Sequence, residues 1–315
     1  MALVTTTKMF EKAFDGKYAI GAFNINNMEI VQAIARAAKA KNSAVMLQVS
    51  MSALKFAGPK YLKGMVDAAV DETGIDIALH LDHGPDLDSV KLCIDSGFSS
   101  VMFDGSHYEY EENVKKTKEA AEYAHSKGVV IEAELGRLAG IEDDVNVDAA
   151  NATYTDPDQA ADFVERTGVD SLAIAIGTSH GAYKFKGDAK LDFERLTKIT
   201  ENLEKRGFKK YPIVLHGASA VDSEVVDLCN KYGAQIKGAK GMPAEMLRKA
   251  ASMAVCKINM DTDLRLGMTA AIRKALAEKP EAFDPRGYLG DARTYLQAIV
   301  EAKIVDVLGS ENSMN

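Results

Sequence analysis

The sequence predicts an α/β protein that folds as a single-domain (β/α)8 barrel. Short apolar runs alternate along the whole chain with longer amphipathic segments, which is typical of repeated βα units. Polar or ionisable residues follow nearly every apolar run, as they do at the rim of a barrel. The first run leads into AIGAFNINN rather than a G-x-G-x-x-G motif, which disfavours the alternative, a doubly wound dinucleotide-binding sheet.

Eight apolar runs are interpreted as the barrel strands. They cover residues 18–24, 45–49, 77–82, 99–103, 129–135, 171–176, 213–216 and 255–259. Between them, segments such as 28–41 and 111–127 carry apolar residues at helical spacing and should form the outer ring of helices. No composition break divides the chain, so residues 1–315 are expected to form one domain. The connection at 136–156 is unusually long, and we predict that it is a mobile active-site loop.

Composition limits the classes of function. The chain has 315 residues, 47% of them hydrophobic, and a formal net charge of -8, which disfavours nucleic acid or an anionic membrane as a partner. Its three cysteines are odd in number and far apart, which is typical of a reduced protein. The chain shows neither a signal-peptide pattern nor a run of about 18 apolar residues. We therefore expect a cytoplasmic protein.

Three of the six histidines stand at predicted strand ends, and glycine follows each one: His83 in HLDHG, His180 in IGTSHG and His216 in VLHGAS. Three imidazoles and one open position form a common catalytic zinc site. Glycine beside a ligand lets backbone or substrate approach closely. The remaining histidines are interpreted as structural or solvent-facing: His80, His107 and His125.

Acidic side chains accompany these histidines at the same predicted rim. Asp82 precedes His83 and could transfer a proton, although strict alternation along a strand would point the two side chains to opposite faces. Its alternative role is to orient a ligand histidine. Asp104 and Glu134 also end predicted strands, where they could orient histidine ligands or hold a second cation.

Two glycine-rich segments are suited to phosphate. Residues 177–181 with Lys184, and residues 216–219, follow the sixth and seventh predicted strands, where barrels often hold phosphate. The last strand runs into KINMDTDLR, an unusually polar sequence before a helix. Asp261 or Thr262 could simply cap that helix.

Six motifs together resemble the class II, metal-dependent fructose-bisphosphate aldolases. HLDHG, VMFDGSH, EAELGRLAGIED, IGTSHGAYKFKG, VLHGASA and KINMDTDLR occur in this order and extend from about residue 19 to residue 265. The resemblance implies that His83, His180 and His216 bind Zn2+ and that Asp82 exchanges the proton of the substrate C4 hydroxyl. It further implies that Glu142, in the loop after the fifth strand, protonates C3.

The same resemblance implies how a phosphorylated ketose and its triose-phosphate products are held. The residues implied for the C1 phosphate are Gly181, Lys184, Gly217, Ser219 and Thr262. Those implied for the sugar chain or its phosphates are Asn24, Ser50, Asn259 and Asp261. Arg265 resembles an arginine that such enzymes lend across a dimer interface to the C6 phosphate, so a homodimer or homotetramer is expected. A monovalent cation, Na+ or K+, is implied near Gly181.

Several alternatives remain open at the level of sequence. A Schiff-base aldolase would need a buried strand lysine, for which Lys257 is the candidate. A barrel zinc hydrolase usually begins with an HxH pair at the end of strand one, where this chain has Phe23-Asn24-Ile25-Asn26. A non-catalytic binding protein would have no use for the complete set of histidines and acids. Tagatose 1,6-bisphosphate is the alternative substrate. The resemblance favours the fructose compound, because related tagatose enzymes tend to carry a small residue where this chain has Asp261.

Overall fold

The computed structural model describes residues 3–142, 145–148, 152–181 and 189–314. Among these residues, eight parallel strands close into a barrel in which each strand pairs with its sequence neighbours and the last pairs with the first. Strands β1 to β8 are Ile20–Asn24, Val45–Val49, Ile77–Gly84, Ser100–Phe103, Val130–Leu135, Ser171–Ile174, Ile213–Leu215 and Val255–Met260. The predicted (β/α)8 fold is therefore confirmed, and every predicted strand is present with bounds within two residues.

Helices surround the barrel and bury their apolar faces against it. Helices α1 to α12 are Thr6–Gly16, Met28–Ala40, Met51–Ala57, Pro59–Thr73, Leu87–Asp95, Tyr110–Ser126, Pro157–Thr167, Phe193–Lys205, Ser223–Lys231, Ala244–Ala251, Thr262–Glu278 and Pro285–Ala302. A π-helical turn, Lys303–Leu308, follows α12. Local sequence sets several starting points: Asn27 caps α2 by accepting from the Ile30 amide, and α7 begins with a proline preceded by the capping Asp156.

The inside of the barrel changes character along its axis. At the amino-terminal end, Met9 and Phe10 of α1 pack with Ile20 and Met46, so α1 closes that end with apolar side chains. Towards the carboxyl ends of the strands, the buried side chains become polar. They include Asn24, Gln48, His80, Asp82, Glu132, Glu134, Lys257 and Asn259. Because barrel interiors are usually filled with branched apolar residues, this polar region marks where function is concentrated.

The long connection after β5 forms a small sheet of its own. Strands Ala139–Glu142 and Val145–Val147 make an antiparallel hairpin, and the first of them pairs in parallel with Ser179–His180. At its base, Arg137 and Thr153 exchange two backbone hydrogen bonds. That the 136–156 segment moves stays a prediction. In the described part of the chain, no helix has both the length and the apolar character required to cross a membrane.

Candidate active site

Asp82 and His83 face the same space at the rim, although neighbouring residues of a regular strand point to opposite faces. His83 has a left-handed backbone (φ 50°), and the pairing of β3 with β4 shifts between Leu81 and Gly84. This irregularity turns both side chains towards His216. Ligand-type atoms of Asp82, His83 and His216 lie within 4.8 Å of one another. The expectation from strict alternation is therefore corrected.

The three predicted metal-binding histidines come together. The Nε2 atom of His83 lies 2.9 Å from Nδ1 of His216, and its Nδ1 bonds with Asp104 Oδ2 at 2.7 Å. The ring of His180 meets that of His83 edge-on, with 5.2 Å between ring centres. Residues that are far apart in the sequence thus form a cluster of imidazoles that is largely closed off from solvent.

Two glycines let the surrounding backbone pack against His180. A Cβ atom on Gly140 would lie 2.3 Å from the carbonyl oxygen of His180, and one on Gly217 would lie 2.6 Å from the carbonyl of Ser179. Both glycines also have positive φ angles, 112° and 57°, which side chains disfavour. The hairpin and the loop after β7 therefore hold His180 from two sides, and larger residues would displace it.

Three amide side chains hold the Asp82 carboxylate. Asn24 and Gln48 donate to Oδ2 at 2.9 and 3.1 Å, and Asn259 donates to Oδ1 at 3.0 Å. Gln48 also donates to Asn24 Oδ1 at 2.7 Å, which links the first two donors. Gln48 was not among the predicted site residues, although its position on β2, two residues before Ser50, places it on the same inward face. Asp82 is consequently fixed in orientation while it remains next to the histidines.

A second buried cluster lies one level deeper in the barrel. Glu132 Oε1 bonds with His216 Nε2 at 2.7 Å, and Lys257 Nζ reaches Oε1 and Oε2 of Glu132 at 3.0 and 2.9 Å. Glu132 was also missed, although its spacing of two residues from Glu134 places both on the inner face of β5. Lys257 is enclosed in this ion pair, which counts against the Schiff-base alternative.

Burial and neighbouring charges shift the pKa values of the rim residues in different directions. Burial lowers the pKa of His83, but its bond with Asp104 and the charges of Asp82 and Glu134 outweigh this and raise it to about 10. Burial, together with the His83 charge, lowers the pKa of His216 well below its usual range. Burial favours a higher pKa for Asp104, but its bond with His83 dominates and lowers it. Burial and the Asp104 charge raise the pKa of Glu134.

The donor set fits a divalent transition metal. Neutral imidazole nitrogens are preferred zinc ligands, and His83 Nε2 and His216 Nδ1 face each other across a short gap. Glu134 Oε2 is buried 3.6 Å from His216 Nδ1 and 3.7 Å from His83 Nδ1, and it has no hydrogen-bond partner among the described residues. His83, Asp104 and Glu134 also form a second group with closely spaced ligand atoms. An acceptor left in such a position is suited to a nearby cation.

The predicted phosphate-binding segments border the same space. Gly217 packs on the His180 strand, and the buried Ser219 hydroxyl accepts from the Asp261 amide at 3.3 Å. Thr262 begins α11, and Gly181 follows His180 with φ 81°. Lys184 lies outside the described residues. The backbone of Glu142 ends the first hairpin strand, which pairs beside His180.

Residues predicted to touch the sugar already have partners within the chain. Asp261 occupies the cap position of α11, but its side chain caps no amide and instead pairs with Arg265 at 2.7 Å. The Ser50 side chain accepts from the Ala53 amide at the start of α3. Asn24 and Asn259 support Asp82, as described above. His107 and His125 lie away from the cluster, against Tyr108 and Asp170 respectively.

A barrel whose rim combines three imidazoles with supporting carboxylates and a fixed acid has the architecture of a metal-dependent enzyme. The family model for class-II fructose-bisphosphate aldolase matches residues 4–313, and the chain belongs to this family, which is metal-dependent. A fructose-bisphosphate aldolase of Giardia intestinalis is 48% identical, covering 96% of this chain and 92% of that protein. One from Thermus caldophilus is 47% identical, covering 98% of each. The crystal structure of the YdjI aldolase from Escherichia coli K12 has a TM-score of 0.79 at 27% identity, covering 99% of this chain and 100% of that one.

The raised pKa of His83 predicts how metal affinity depends on pH. Below about pH 10, His83 carries a proton, which an ion bound through this predicted ligand would displace. Apparent zinc affinity should therefore rise by about tenfold per pH unit from roughly pH 7 to pH 9, because one proton is released per ion bound. Competition with a chelator of known pH dependence measures this slope. An affinity independent of pH would show that His83 is already neutral.

Proposed function

We propose that this chain catalyses the reversible, zinc-dependent aldol cleavage of fructose 1,6-bisphosphate to dihydroxyacetone phosphate and glyceraldehyde 3-phosphate. The observation that carries the proposal is the position of Asp82, an acid fixed by three amide donors directly beside the histidine cluster. Membership of the class-II aldolase family supports the reaction type, and relatives of nearly equal length carry the fructose-bisphosphate aldolase name.

His83 Nε2, His216 Nδ1 and His180 would hold the zinc ion. When bound, zinc supplies an electrophile that stabilises the negative charge developing on the substrate beside the bond that breaks. Asp104 supports this set by fixing His83 through Nδ1, which leaves Nε2 directed into the site. Asp104 and Glu134 are outer supports in this arrangement, and Glu134 could instead approach the ion directly.

Asp82 is the proposed acid and base for the C4 hydroxyl. In the cleavage direction, that hydroxyl gives its proton to an Asp82 oxygen as the C3–C4 bond breaks and the C4 carbonyl forms. The bonding electrons remain on C3 of the three-carbon half, which then takes up a proton. Glu142 is the proposed donor, since its backbone lies in the hairpin beside His180. Closure of the 136–156 segment would exclude water from this reactive product.

Phosphate binding is assigned to the loops that surround the histidines. The proposed contacts to the C1 phosphate are Gly181, Lys184, Gly217, Ser219 and Thr262. Asn24, Ser50, Asn259 and Asp261 are proposed to contact the sugar chain or its phosphates. The proposed substrate is fructose 1,6-bisphosphate, on the resemblance at Asp261, and tagatose 1,6-bisphosphate remains the alternative.

Three further expectations complete the proposal. Arg265 is partly exposed, which leaves it able to reach a second subunit's C6 phosphate in a homodimer or homotetramer. A monovalent cation, Na+ or K+, is proposed near Gly181. The enzyme is proposed to work in the cytoplasm.

Metal removal tests the proposed reaction directly. Cleavage of fructose 1,6-bisphosphate, coupled to triose-phosphate detection, should disappear after chelation and return when Zn2+ is restored. Borohydride added with substrate should leave activity intact, because no lysine imine forms. Activity that survives chelation but is lost with borohydride would contradict the metal mechanism. A zinc-loaded protein that cleaves only the tagatose compound would contradict the proposed substrate.

A further inference from the structure

A layer of ionisable side chains lies directly beneath the histidine cluster, where a barrel normally contains branched apolar residues. It consists of His80 on β3, Glu132 on β5 and Lys257 on β8, none of which is more than 2% exposed. Burying an ion pair in this way removes both charges from water, and apolar residues of similar size are often at least as stable. The stability of the fold therefore does not explain these residues, and a role in the site above them does.

The bonds within the layer follow from the chemistry of Lys257. An ammonium group donates three hydrogen bonds and accepts none. Its Nζ contacts both oxygens of Glu132 and lies 3.3 Å from His80 Nε2, so that nitrogen must accept. The other nitrogen of His80, Nδ1, then carries the hydrogen and donates to Ser100 Oγ at 2.8 Å. The Lys257 ammonium group thus determines which atoms donate and which accept in its bonds with Glu132 and His80, and in the bond from His80 to Ser100.

The hydrogen bond between Glu132 and His216 determines which His216 nitrogen carries the hydrogen. Because the Glu132 carboxylate only accepts, His216 Nε2 must carry the hydrogen in the 2.7 Å bond between them. A neutral imidazole protonated at Nε2 has its free lone pair on Nδ1. That atom is the one that faces His83 Nε2 at 2.9 Å, in the space assigned to the metal. Because His216 Nδ1 accepts, the hydrogen in that short contact belongs to His83 Nε2.

We propose that Glu132, held by Lys257, is a positioning residue that fixes the tautomer and ring orientation of His216, so that Nδ1 is ready to bind the metal. This inference rests on the proposed function only in assigning His216 as a zinc ligand. Hydrogen-bonded carboxylates commonly orient metal-binding histidines in this way, and their loss weakens metal binding by about 10–100-fold. Here the carboxylate is itself oriented by a cation buried across the barrel.

Two double variants separate the hydrogen bond from the charges. In E132L/K257M, both charges and the acceptor for His216 are removed, and zinc affinity should fall by about 10–100-fold. In the matched control E132Q/K257M, both charges are removed, but the glutamine oxygen can still accept from His216 Nε2. That control should retain zinc within about threefold of the parent enzyme.

Zinc retention is measured on the holoenzymes against increasing concentrations of a chelator, with thermal unfolding used to identify folded variants. Parent-like zinc affinity in E132L/K257M would overturn the inference, and so would an equal loss in both variants. The readout does not depend on the sugar substrate. A parent enzyme that holds zinc but does not cleave fructose 1,6-bisphosphate would refute the proposed function without affecting this result.

A second measurement leaves the layer unaltered and tests the predicted tautomer of His216 even if E132L/K257M does not fold. Long-range 1H–15N correlation spectra of histidine-labelled protein report which ring nitrogen carries the hydrogen, and His216→Gln assigns the relevant signal. After zinc is removed, His216 should be protonated at Nε2 and unprotonated at Nδ1. A His216 protonated at Nδ1 would contradict the inference.

Discussion

Asp82→Asn is expected to lower kcat for fructose 1,6-bisphosphate cleavage by about a hundredfold to ten-thousandfold, the usual contribution of a general base. The asparagine is nearly the same size, but it lacks the carboxylate that would accept the C4 hydroxyl proton. The amides of Asn24, Gln48 and Asn259 now point at a group that offers one acceptor oxygen instead of two. Steady-state cleavage and zinc content, measured on the same preparation, test this.

The zinc content of Asp82→Asn should match that of the parent enzyme, because the proposed ligands are imidazoles. Asp86→Asn is a matched control from the same connection. Asp86 caps α5 by accepting from the Ser89 amide, a role that asparagine also fills. Its kcat should remain within about twofold. Parent-like activity in Asp82→Asn would remove this residue from proton transfer, and loss of zinc would make it a ligand.

The fold was predictable from the sequence because barrel strands buried on both faces are short apolar runs, and the chain separates them by helical patterns. The bounds of β2 agreed completely. Those of β3 did not, because the strand continues through His83 and Gly84 with a left-handed residue inside it. A positive φ is uncommon at any residue other than glycine, and the local sequence does not single out His83 for one. The close approach of Asp82 and His83 depends on that single backbone feature.

The site residues at the strand ends were predictable from the sequence, and those inside the strands were not. His83, His180 and His216 were recognisable because each ends a strand and precedes a glycine. Glu132 and Gln48 lie within strands, where a polar residue has no local signal of its partner. Their roles follow from contacts across the barrel, such as the bond from Glu132 to His216, which joins positions 84 residues apart.

His83→Ala should weaken zinc binding by more than the roughly 10–100-fold that loss of a supporting residue costs, since the change removes a proposed ligand itself. It deletes the Nε2 atom that faces His216 and leaves the buried carboxylates of Asp104 and Glu134 without the imidazole between them. Cleavage activity should fall in proportion to bound zinc. Zinc content by elemental analysis, followed by activity at increasing added zinc, measures both effects.

His107→Ala is the matched control, because that histidine is exposed and its ring lies against Tyr108, away from the cluster. It should keep parent-like zinc content and activity. Zinc content then distinguishes the two inactive variants. His83→Ala is expected to lose the ion and with it the reaction, whereas Asp82→Asn is expected to keep the ion and lose proton transfer. If His83→Ala retained zinc, the ion would be held by His180, His216 and Glu134, and His83 would serve instead to orient its neighbours.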